Sequence, residues 1–341
     1  MKAFQTAPLL RDGPTLHSEA LPDLLIPTAC ATAVIIGRKV YVCGGRCPDD
    51  ESSRRVLVYD IDKSVWSTLP GLAPQYRCQA VTIGNQLVLT GGLEPLQSQR
   101  DRITDLVSTW TDRGWQQAMP PMPTKRCRHS AVAHGTMVAV AGGRAEDNRT
   151  LLNSVDVLNT TTCQWSTPAS LQLPQPMYAM TLTANSIHIN VAAARIDDPS
   201  NRDTKMPSKR VWRLPVSALM AVTEDRSPPC QWTEIEPTPN FDSAVLQGSP
   251  HILSIGGDDD SDQATTHVAV CSRNTWATVG QLQTPRARCA IVTLSASSIL
   301  VCGGYSDTRN EHLTQLRRTI ECPQIIMIYL PVHGKGFVTC E

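Results

Sequence analysis

Short apolar runs that end in a pair of glycines recur along the chain. Runs of about four β-branched or aliphatic residues bounded by turn residues are typical of buried strands. Another apolar run precedes each of them across a short glycine-containing turn, which predicts a hairpin because glycine accepts a positive φ. The five doublets are Gly44-Gly45, Gly91-Gly92, Gly142-Gly143, Gly256-Gly257 and Gly303-Gly304.

The spacing of the doublets sets the period of the chain. Successive first glycines lie 47, 51, 114 and 47 residues apart, so the long step is close to two further periods. Within it, residues 186–194 (SIHINVAAA) form an apolar run in which an Ala-Ala pair replaces the glycines. Self-similarity at a fixed period is the signature of repeat architectures. The pattern therefore predicts six repeats.

Each repeat continues beyond its doublet with a polar loop, a third strand and a tryptophan. Four antiparallel strands cannot bury both faces alone, whereas radial stacking of such sheets buries them, which favours a β-propeller. Glycines then permit close approach of neighbouring backbones, and the tryptophans are expected to wedge between neighbouring sheets. These tryptophans are Trp66, Trp115, Trp165 and Trp276, which lie 20 to 24 residues after their first glycine.

This pattern resembles the kelch repeat, with Gly-Gly after an apolar strand, Tyr59-Asp60 in the third strand and then Trp66. Residues 119–132 (MPPMPTKRCRHSAV) resemble the blade junction of BTB–kelch proteins. The fourth repeat departs by lacking its glycines, and the sixth has no tryptophan after Gly303. The resemblance covers about residues 25–305 and implies an all-β fold, a six-bladed β-propeller of four-stranded antiparallel blades.

The domain boundaries follow from the repeats. The propeller is expected over residues 15–323, with tails at 1–14 and 324–341. In blade six, residues 317–322 are expected to form the third strand, and residues 15–24 are favoured over 325–330 (IIMIYL) for the fourth. The blades are expected at about residues 26–70, 74–120, 124–170, 176–237, 241–282 and 285–323, the last completed by residues 15–24. Residues 195–209 are expected to form a long polar loop of blade four.

Charge and cysteine content exclude several function classes. Lysine plus arginine and aspartate plus glutamate both number 31, whereas a nucleic-acid binder needs a basic excess. No apolar run approaches the roughly 18 residues of a membrane span, so neither nucleic acid nor a membrane is an expected partner. The twelve cysteines contain no CxxC pair, and they are interpreted as reduced thiols of a cytoplasmic protein. No metal and no cofactor are expected.

Cysteines also recur near the start of each predicted first strand, facing the predicted channel. They are interpreted as small packing residues, with a soft metal site or an oxidation sensor as the alternative. Of these, Cys127 and Cys289 adjoin arginines and are the ones expected to have a lowered pKa. Two further cysteines, Cys43 and Cys302, lie in buried second strands and are expected to be inert. The recurring set is Cys30, Cys78, Cys127 and Cys289.

Arginines concentrate on one predicted face, which the blade junctions share with the loops between second and third strands. Arginine suits bidentate recognition of carboxylate or phosphate, while the alternative for any one of them is pairing with carbonyls or neighbouring acids. The predicted binding residues are Arg77, Arg126, Arg128, Arg286 and Arg288 from the junctions, with Arg46 and Arg144 from the loops. Acids at Asp258, Asp259, Asp260 and Asp262 are interpreted as a solvated loop rather than a calcium site.

No Walker loop, GxGxxG, GxSxG or HExxH motif occurs, and no catalytic residue is assigned. The resemblance implies a non-catalytic interaction module that binds a peptide or loop of a partner protein on the arginine-bearing face. Ubiquitin-ligase substrate recognition and actin binding are the roles that the family offers. The alternative is a small-molecule enzyme of the same fold, such as a sugar-acid mutarotase or a specifier protein, acting in the central channel.

Overall fold

Antiparallel sheets of four short strands make up almost all of the regular structure. The computed structural model describes residues 17–47, 53–96, 101–185, 188–192, 195–198, 201–221, 231–241, 243–247, 252–261, 263–272, 274–295, 298–304 and 325–329. These residues form six four-stranded sheets, with one 3-10 turn at Ala169–Leu171 and one α-helix at Val216–Ala221. The prediction of an all-β chain of four-stranded antiparallel units is confirmed. Neither helix of the described residues is long or apolar enough to cross a membrane.

Sheets 1 to 3 follow the chain in order, and in each the first strand is the innermost. Sheet 1 contains β2 (Ala29–Ile36), β3 (Lys39–Arg46), β4 (Leu57–Asp60) and β5 (Val65–Thr68). Sheet 2 contains β6 (Gln79–Ile83), β7 (Gln86–Thr90), β10 (Val107–Thr111) and β11 (Gly114–Gln116), with a small hairpin of β8 (Leu93–Glu94) and β9 (Arg102–Ile103). Sheet 3 contains β12 (Ser130–His134), β13 (Met137–Ala141), β14 (Val155–Asn159) and β15 (Gln164–Ser166).

Sheets 4 and 5 repeat this order. Sheet 4 contains β17 (Thr181–Ala184), β18 (His188–Ala192), β21 (Val211–Pro215) and β22 (Thr233–Ile235). Sheet 5 contains β23 (Ala244–Gln247), β24 (Ile252–Ile255), β25 (His267–Ser272) and β26 (Thr275–Gln281). The predicted Ala-Ala pair of the fourth repeat, residues 193–194, lies outside the described residues.

Sheet 6 combines segments from opposite ends of the sequence. It contains β27 (Ala290–Ser295), β28 (Ser298–Cys302), β29 (Ile325–Tyr329) and, as its outermost strand, β1 (His17–Leu21). The third strand is therefore β29 and not residues 317–322, which lie outside the described residues, so assigning residues 325–329 to a tail was wrong. The sequence IIMIY suits a buried strand, whereas residues 317–322 (RRTIEC) carry three charged residues.

Residues 195–209 also differ from the expected loop. They contain β19 (Arg195–Asp198) and β20 (Asn201–Pro207), which pair as a hairpin, and β19 pairs in turn with β16 (Met177–Tyr178). The sequence concealed this hairpin, because residues 195–209 are mostly polar and show no apolar alternation.

The core lies between the sheets. In the described residues one cluster of buried apolar side chains packs between each neighbouring pair of sheets: 1 with 2, 2 with 3, 3 with 4, 4 with 5, 5 with 6, and 6 with 1. The innermost strands follow the same cyclic order, since β27 packs beside β2 and beside β23. Burial of apolar surface between sheets is therefore the main force that positions one sheet against the next.

Tryptophans near the outer edges tie four sheets to the linkers that precede them. In each case the indole Nε1 group donates to a backbone carbonyl. The pairs are Trp66 with Pro22 (3.0 Å), Trp165 with Pro120 (2.9 Å), Trp232 with Leu171 (3.4 Å) and Trp276 with Glu236 (3.0 Å). Trp115 differs, because it packs edge-on against Trp110 with ring centroids 5.3 Å apart. Trp232 is absent from the predicted set because the fourth repeat offers no glycine doublet to count from.

Candidate functional site

The glycine doublets bring the junction before one sheet against the second strand of the previous sheet. At Gly256 the φ is +60°, and a Cβ atom there would lie 2.0 Å from the carbonyl oxygen of Arg286. The next residue, Gly257, donates its N–H to that same carbonyl at 2.9 Å. A side chain at Gly256 would push this junction away, and one at Gly257 would meet the carbonyl of Phe241 in the junction before its own sheet. The doublets therefore hold each junction, and the side chains it carries, at a fixed place.

One residue of each junction turns its side chain into its own sheet, and we call these six residues the bracing row. All are buried, with at most 5% of their surface exposed. Gln75 donates through Nε2 to the carbonyls of Leu89 and Leu106, each at 3.3 Å, and Asn240 donates through Nδ2 to that of Gly256 at 2.9 Å. Four of the six side chains, those of Gln75, Arg126, Asn240 and Arg286, thus donate to carbonyls near the ends of strands that would otherwise be buried without partners. The row consists of Thr28, Gln75, Arg126, Met177, Asn240 and Arg286.

Two predicted binding residues, Arg126 and Arg286, belong to the bracing row and are fully buried. Arg126 donates to the carbonyl of Gly142 at 2.7 Å and to the buried carboxylate of Asp156 at 2.6 Å. Burial lowers the pKa of Arg126, and the charge of Asp156 opposes that shift. Arg286 donates to the carbonyl of Gly303 at 3.1 Å. The expectation that these two arginines face a ligand was wrong, and the alternative of pairing with carbonyls and acids describes them.

The second residue after each bracing-row residue has a left-handed backbone, and we call these residues the inner row. They have φ between +50° and +57°, which is unfavourable for residues other than glycine. Residue 242, which corresponds in sheet 5, lies outside the described residues. Residues n and n+2 of an extended segment point the same way, so this backbone turn explains why the two rows face differently. The row consists of Cys30, Arg77, Arg128, Ala179 and Arg288.

Backbone hydrogen bonds join inner-row residues of neighbouring sheets. Cys30 N–H donates to the carbonyl of Arg288 at 2.9 Å, and Ala179 N–H donates to that of Arg128 at 2.8 Å. Arg128 N–H reaches the carbonyl of Arg77 at 3.5 Å. These contacts follow the cyclic order of the sheets. These bonds therefore place inner-row residues of neighbouring sheets next to one another.

Arg77, Arg128 and Arg144 come together there, and we call them the arginine cluster. Arg144 follows the doublet of sheet 3, and its backbone pairs in both directions with Cys127, the neighbour of Arg128 (3.1 and 2.9 Å). The guanidinium carbon of Arg144 lies 4.2 Å from the ring centre of Tyr178. A second contact of this type joins Arg77 to the ring of Tyr76, at 5.6 Å.

Positive charge is concentrated in the arginine cluster. Arg128 is exposed, yet its pKa is lowered, first by partial desolvation and then by the like charges of Arg77 and Arg144. The Cys127 thiol and the Tyr178 hydroxyl act in the opposite direction and raise the pKa of Arg128. No carboxylate among the described residues forms a salt bridge with any of the three arginines. The arrangement is suited to binding an anionic group from outside the chain.

The other two predicted arginines are not assigned to the cluster. Arg288 belongs to the inner row of sheet 6 and is partly exposed. The backbone of Arg46 ends β3, but its side chain lies outside the described part of the structure.

Aspartates of the acidic loop have partners within the chain. Asp258 is buried, Asp259 accepts hydrogen bonds from the backbone N–H groups of Ser261 and Gln263, and Asp260 pairs with Lys209 at 2.7 Å. Lys209 also lies over the ring of Phe241, at 4.4 Å. Asp262 lies outside the described residues. Asp260 thus differs from the arginine cluster in having an oppositely charged partner within the chain.

The recurring cysteines do not form one set. Cys30 is an exposed inner-row residue, Cys127 is buried between the two rows, and Cys78 and Cys289 are buried one residue beyond the inner row. Burial raises the pKa of Cys127, and this outweighs the opposing charges of its neighbouring arginines, so the expectation of a lowered pKa was wrong. Burial likewise raises the pKa of Cys302 to about 12, in agreement with an inert thiol.

Sequence reasoning missed Tyr76 and Tyr178, which contact the arginine cluster. Each directly precedes an inner-row position, and that shared place in the repeat is the signal that would have found them. It also missed Lys209, because its partner Asp260 is 51 residues away along the chain.

Comparison with known proteins gives a family model and a solved structure that match much of the chain. The model of the KLHDC2/KLHL20/DRC7 Kelch-repeats domain matches residues 30–201, about half of the chain. The solved structure titled "Structure of YjhT" superimposes with a TM-score of 0.67 at 14% identity, covering 84% of this chain and 93% of that one. At that identity the superposition shows a similarity of fold alone.

Three relatives share moderate identity with the chain. Acyl-CoA-binding domain-containing protein 4 of Arabidopsis thaliana is 31% identical over 43% of this chain and 23% of its own length. Kelch repeat and BTB domain-containing protein 12 of Danio rerio is 28% identical over 52% of this chain and 31% of its own length. Kelch-like protein 25 of Xenopus tropicalis is 23% identical over 88% and 40%. The matched part thus spans between about a quarter and two fifths of these relatives.

Proposed function

Because the chain belongs to the kelch-repeat family, we propose that it is a non-catalytic interaction module that binds a peptide or loop of a partner protein at its inner row. In this proposal the six four-stranded sheets are the blades of a closed propeller, and the inner row surrounds the mouth of its central channel. The apolar cluster between sheets 6 and 1 and the backbone bond from Cys30 to Arg288 support the closure.

The arginine cluster carries the proposal. Three guanidinium groups share one site, two of them lie against aromatic rings, and no carboxylate of the described residues pairs with them. Arginine and aromatic residues are also those that contribute most to binding energy at protein interfaces. An acidic segment of a partner supplies the charge that the site lacks and is guided to it electrostatically.

Affinity capture from lysate tests this proposal with three proteins. These are the wild type, the triple variant Arg77→Gln/Arg128→Gln/Arg144→Gln, and the control Arg113→Gln. Arg113 is exposed in the turn between β10 and β11, at the opposite end of the strands from the junctions. We expect partners that the wild type and the control retain and the triple variant loses. A ubiquitin-ligase substrate or actin among them would distinguish the two roles that the family resemblance offers.

Equal retention by the triple variant would contradict the proposal, provided that its melting temperature matches that of the control. Wild-type protein that captures nothing but is stabilised against heat by anionic sugars would instead favour the small-molecule enzyme. Such stabilisation reports ligand binding directly, because a ligand that binds only the folded state raises its melting temperature.

A further inference from the structure

Backbone contacts, rather than a shared counterion, place the three residues of the arginine cluster beside one another. Arg128 N–H contacts the carbonyl of Arg77, and Arg144 pairs through its backbone with the residue that precedes Arg128. Each contact lies at a sheet junction that the glycine doublets hold in place. The three positive charges are thus neighbours whether or not an anion is present.

Arg144 is positioned on two sides. Its guanidinium lies over Tyr178, which is 5% exposed, and it donates through Nη1 to the carbonyl of Asn148 at 3.1 Å. Its Nε–H group is buried and has no acceptor among the described residues. A guanidinium restrained in this way loses little conformational freedom when a ligand binds, which favours affinity.

The charge of the cluster discriminates between the anions that fit it. One carboxylate brings a single negative charge and two acceptor oxygens, which leaves most of the repulsion around Arg128 uncompensated. A phosphate monoester brings about 1.5 to 2 negative charges near pH 7 and three strong acceptor oxygens. Three guanidinium groups therefore match a phosphate monoester better than an aspartate or glutamate side chain.

We propose that the arginine cluster binds a phosphate monoester, in the form of a phosphorylated side chain of the partner or a small phosphorylated molecule. This inference rests on the proposed function for its site, and it specifies the chemistry of the ligand. Arg77, Arg128 and Arg144 are the binding residues, and Tyr178 is the residue that positions Arg144.

Calorimetric titration with two capped amino acids and inorganic phosphate tests directly which anion the cluster prefers. The probes are N-acetyl-O-phosphoserine amide, inorganic phosphate and N-acetylglutamate amide, titrated at pH 7.5 and at pH 5.5. We expect phosphoserine to bind more tightly than glutamate at pH 7.5. We also expect its affinity to fall about fourfold at pH 5.5, because the second pKa of a phosphate monoester is about 6. The affinity of glutamate, whose pKa is about 4.3, should hardly change over this interval.

Variants connect the binding to the cluster. Arg128→Gln should weaken phosphoserine binding by about tenfold or more, the usual effect of losing a hydrogen bond to a charged group. Arg113→Gln should leave it unchanged. Tyr178→Phe keeps the ring under Arg144 and should bind like the wild type. Tyr178→Leu removes the ring and should bind phosphoserine more weakly. Its melting temperature shows whether the variant is folded.

Equal or tighter binding of glutamate would overturn the inference, and so would phosphoserine binding that survives Arg128→Gln. Tighter binding of phosphoserine than of inorganic phosphate supports a group carried on a peptide, and equal binding supports a small phosphorylated molecule. Treating the lysate with phosphatase before capture separates this inference from the proposed function. Partners that depend on the cluster but survive the phosphatase keep the proposed function and reject the phosphate.

Discussion

The bracing row and the inner row place identical residue types in opposite environments. Arg126 and Arg128 are two residues apart, yet the first is fully buried against Asp156 and the second is exposed beside two other arginines. Arg286 and Arg288 repeat the contrast before sheet 6. A left-handed backbone at the second position separates them. An arginine in a junction is therefore buried within the fold or open to solvent according to the backbone conformation of the junction.

Substitution of Arg126 and of Arg128 in separate variants should give the largest difference between the two rows. Arg126→Gln leaves the buried carboxylate of Asp156 without its charged partner, so we expect the free energy of unfolding to fall by about 3 to 5 kcal/mol. Arg128→Gln should change it by no more than about 0.5 kcal/mol, as is usual for exposed positions. Urea unfolding of both variants measures the difference. Equal losses would show that the two rows do not differ in role.

The next largest effect concerns the linker that leads into the junction of sheet 3. Trp165 packs between sheets 2 and 3 and donates to the carbonyl of Pro120 in that linker. Because it is half-buried, Trp165→Ala should lower the free energy of unfolding by about 3 kcal/mol, near the lower limit for a core aromatic. Val65→Ala, at an exposed position, is the control. A loss of under about 1 kcal/mol for Trp165→Ala would show that the tryptophan does not act as a wedge.

A third test uses His129, which directly follows Arg128 but is buried. Burial, and then the charge of Arg126, lowers its pKa to about 3, and its Nε2 lies 3.0 Å from Thr90 Oγ1. The pKa of this histidine is lower in the folded state than in the unfolded state, where it is near 6.5. Its contribution to stability is therefore fully present above pH 6.5 and is lost progressively as the pH falls below 6.5.

We therefore expect the free energy of unfolding to be about 1.4 kcal/mol lower at pH 5.5 than at pH 7.5, as measured by urea unfolding. His129→Gln, which does not titrate, is the matched control and should lose most of this difference. An unchanged difference in the variant would assign it to other groups.

The smallest effect is expected at the salt bridge between Lys209 and Asp260. Asp260 is 84% exposed on its side chain, so Asp260→Asn should cost less than about 1 kcal/mol and less still in high salt. It should also leave phosphoserine binding unchanged, in contrast to Arg128→Gln. Loss of phosphoserine binding in this variant would extend the ligand site to sheet 5.

The apolar repeats made most of the fold predictable, because buried second strands and glycine doublets are local signals. The third strand of sheet 6 was missed because the sequence between β28 and β29 has no repeat signal to fix the distance. Trp232 was missed for a similar reason, although the tripeptide CQW occurs both at residues 163–165 and at 230–232. The counting of positions from a doublet fails wherever the doublet is replaced.

The candidate site was only partly predictable. The sequence places Arg77, Arg128 and Arg144 on one face, but it assigns Arg126 and Arg286 to that face as well. A positive φ at an arginine has no residue-type signal, since glycine and asparagine are the residues that usually adopt it. The prediction of a lowered pKa for Cys127 was wrong for a related reason. Neighbouring charges can be seen in the sequence, whereas depth of burial can be judged only from the fold.

Sheet 6 has a consequence for how the chain folds. Its outer pairing joins His17 to Tyr329, whereas each of the other four-stranded sheets is made from a local stretch of the chain. Loop-closure entropy and contact order both make such a distant pairing slow compared with a local hairpin. On the ribosome, sheets 1 to 5 can form before β29 has been synthesised. Until then β28 exposes an unpaired apolar edge, the kind of surface that recruits chaperones or pairs with another chain.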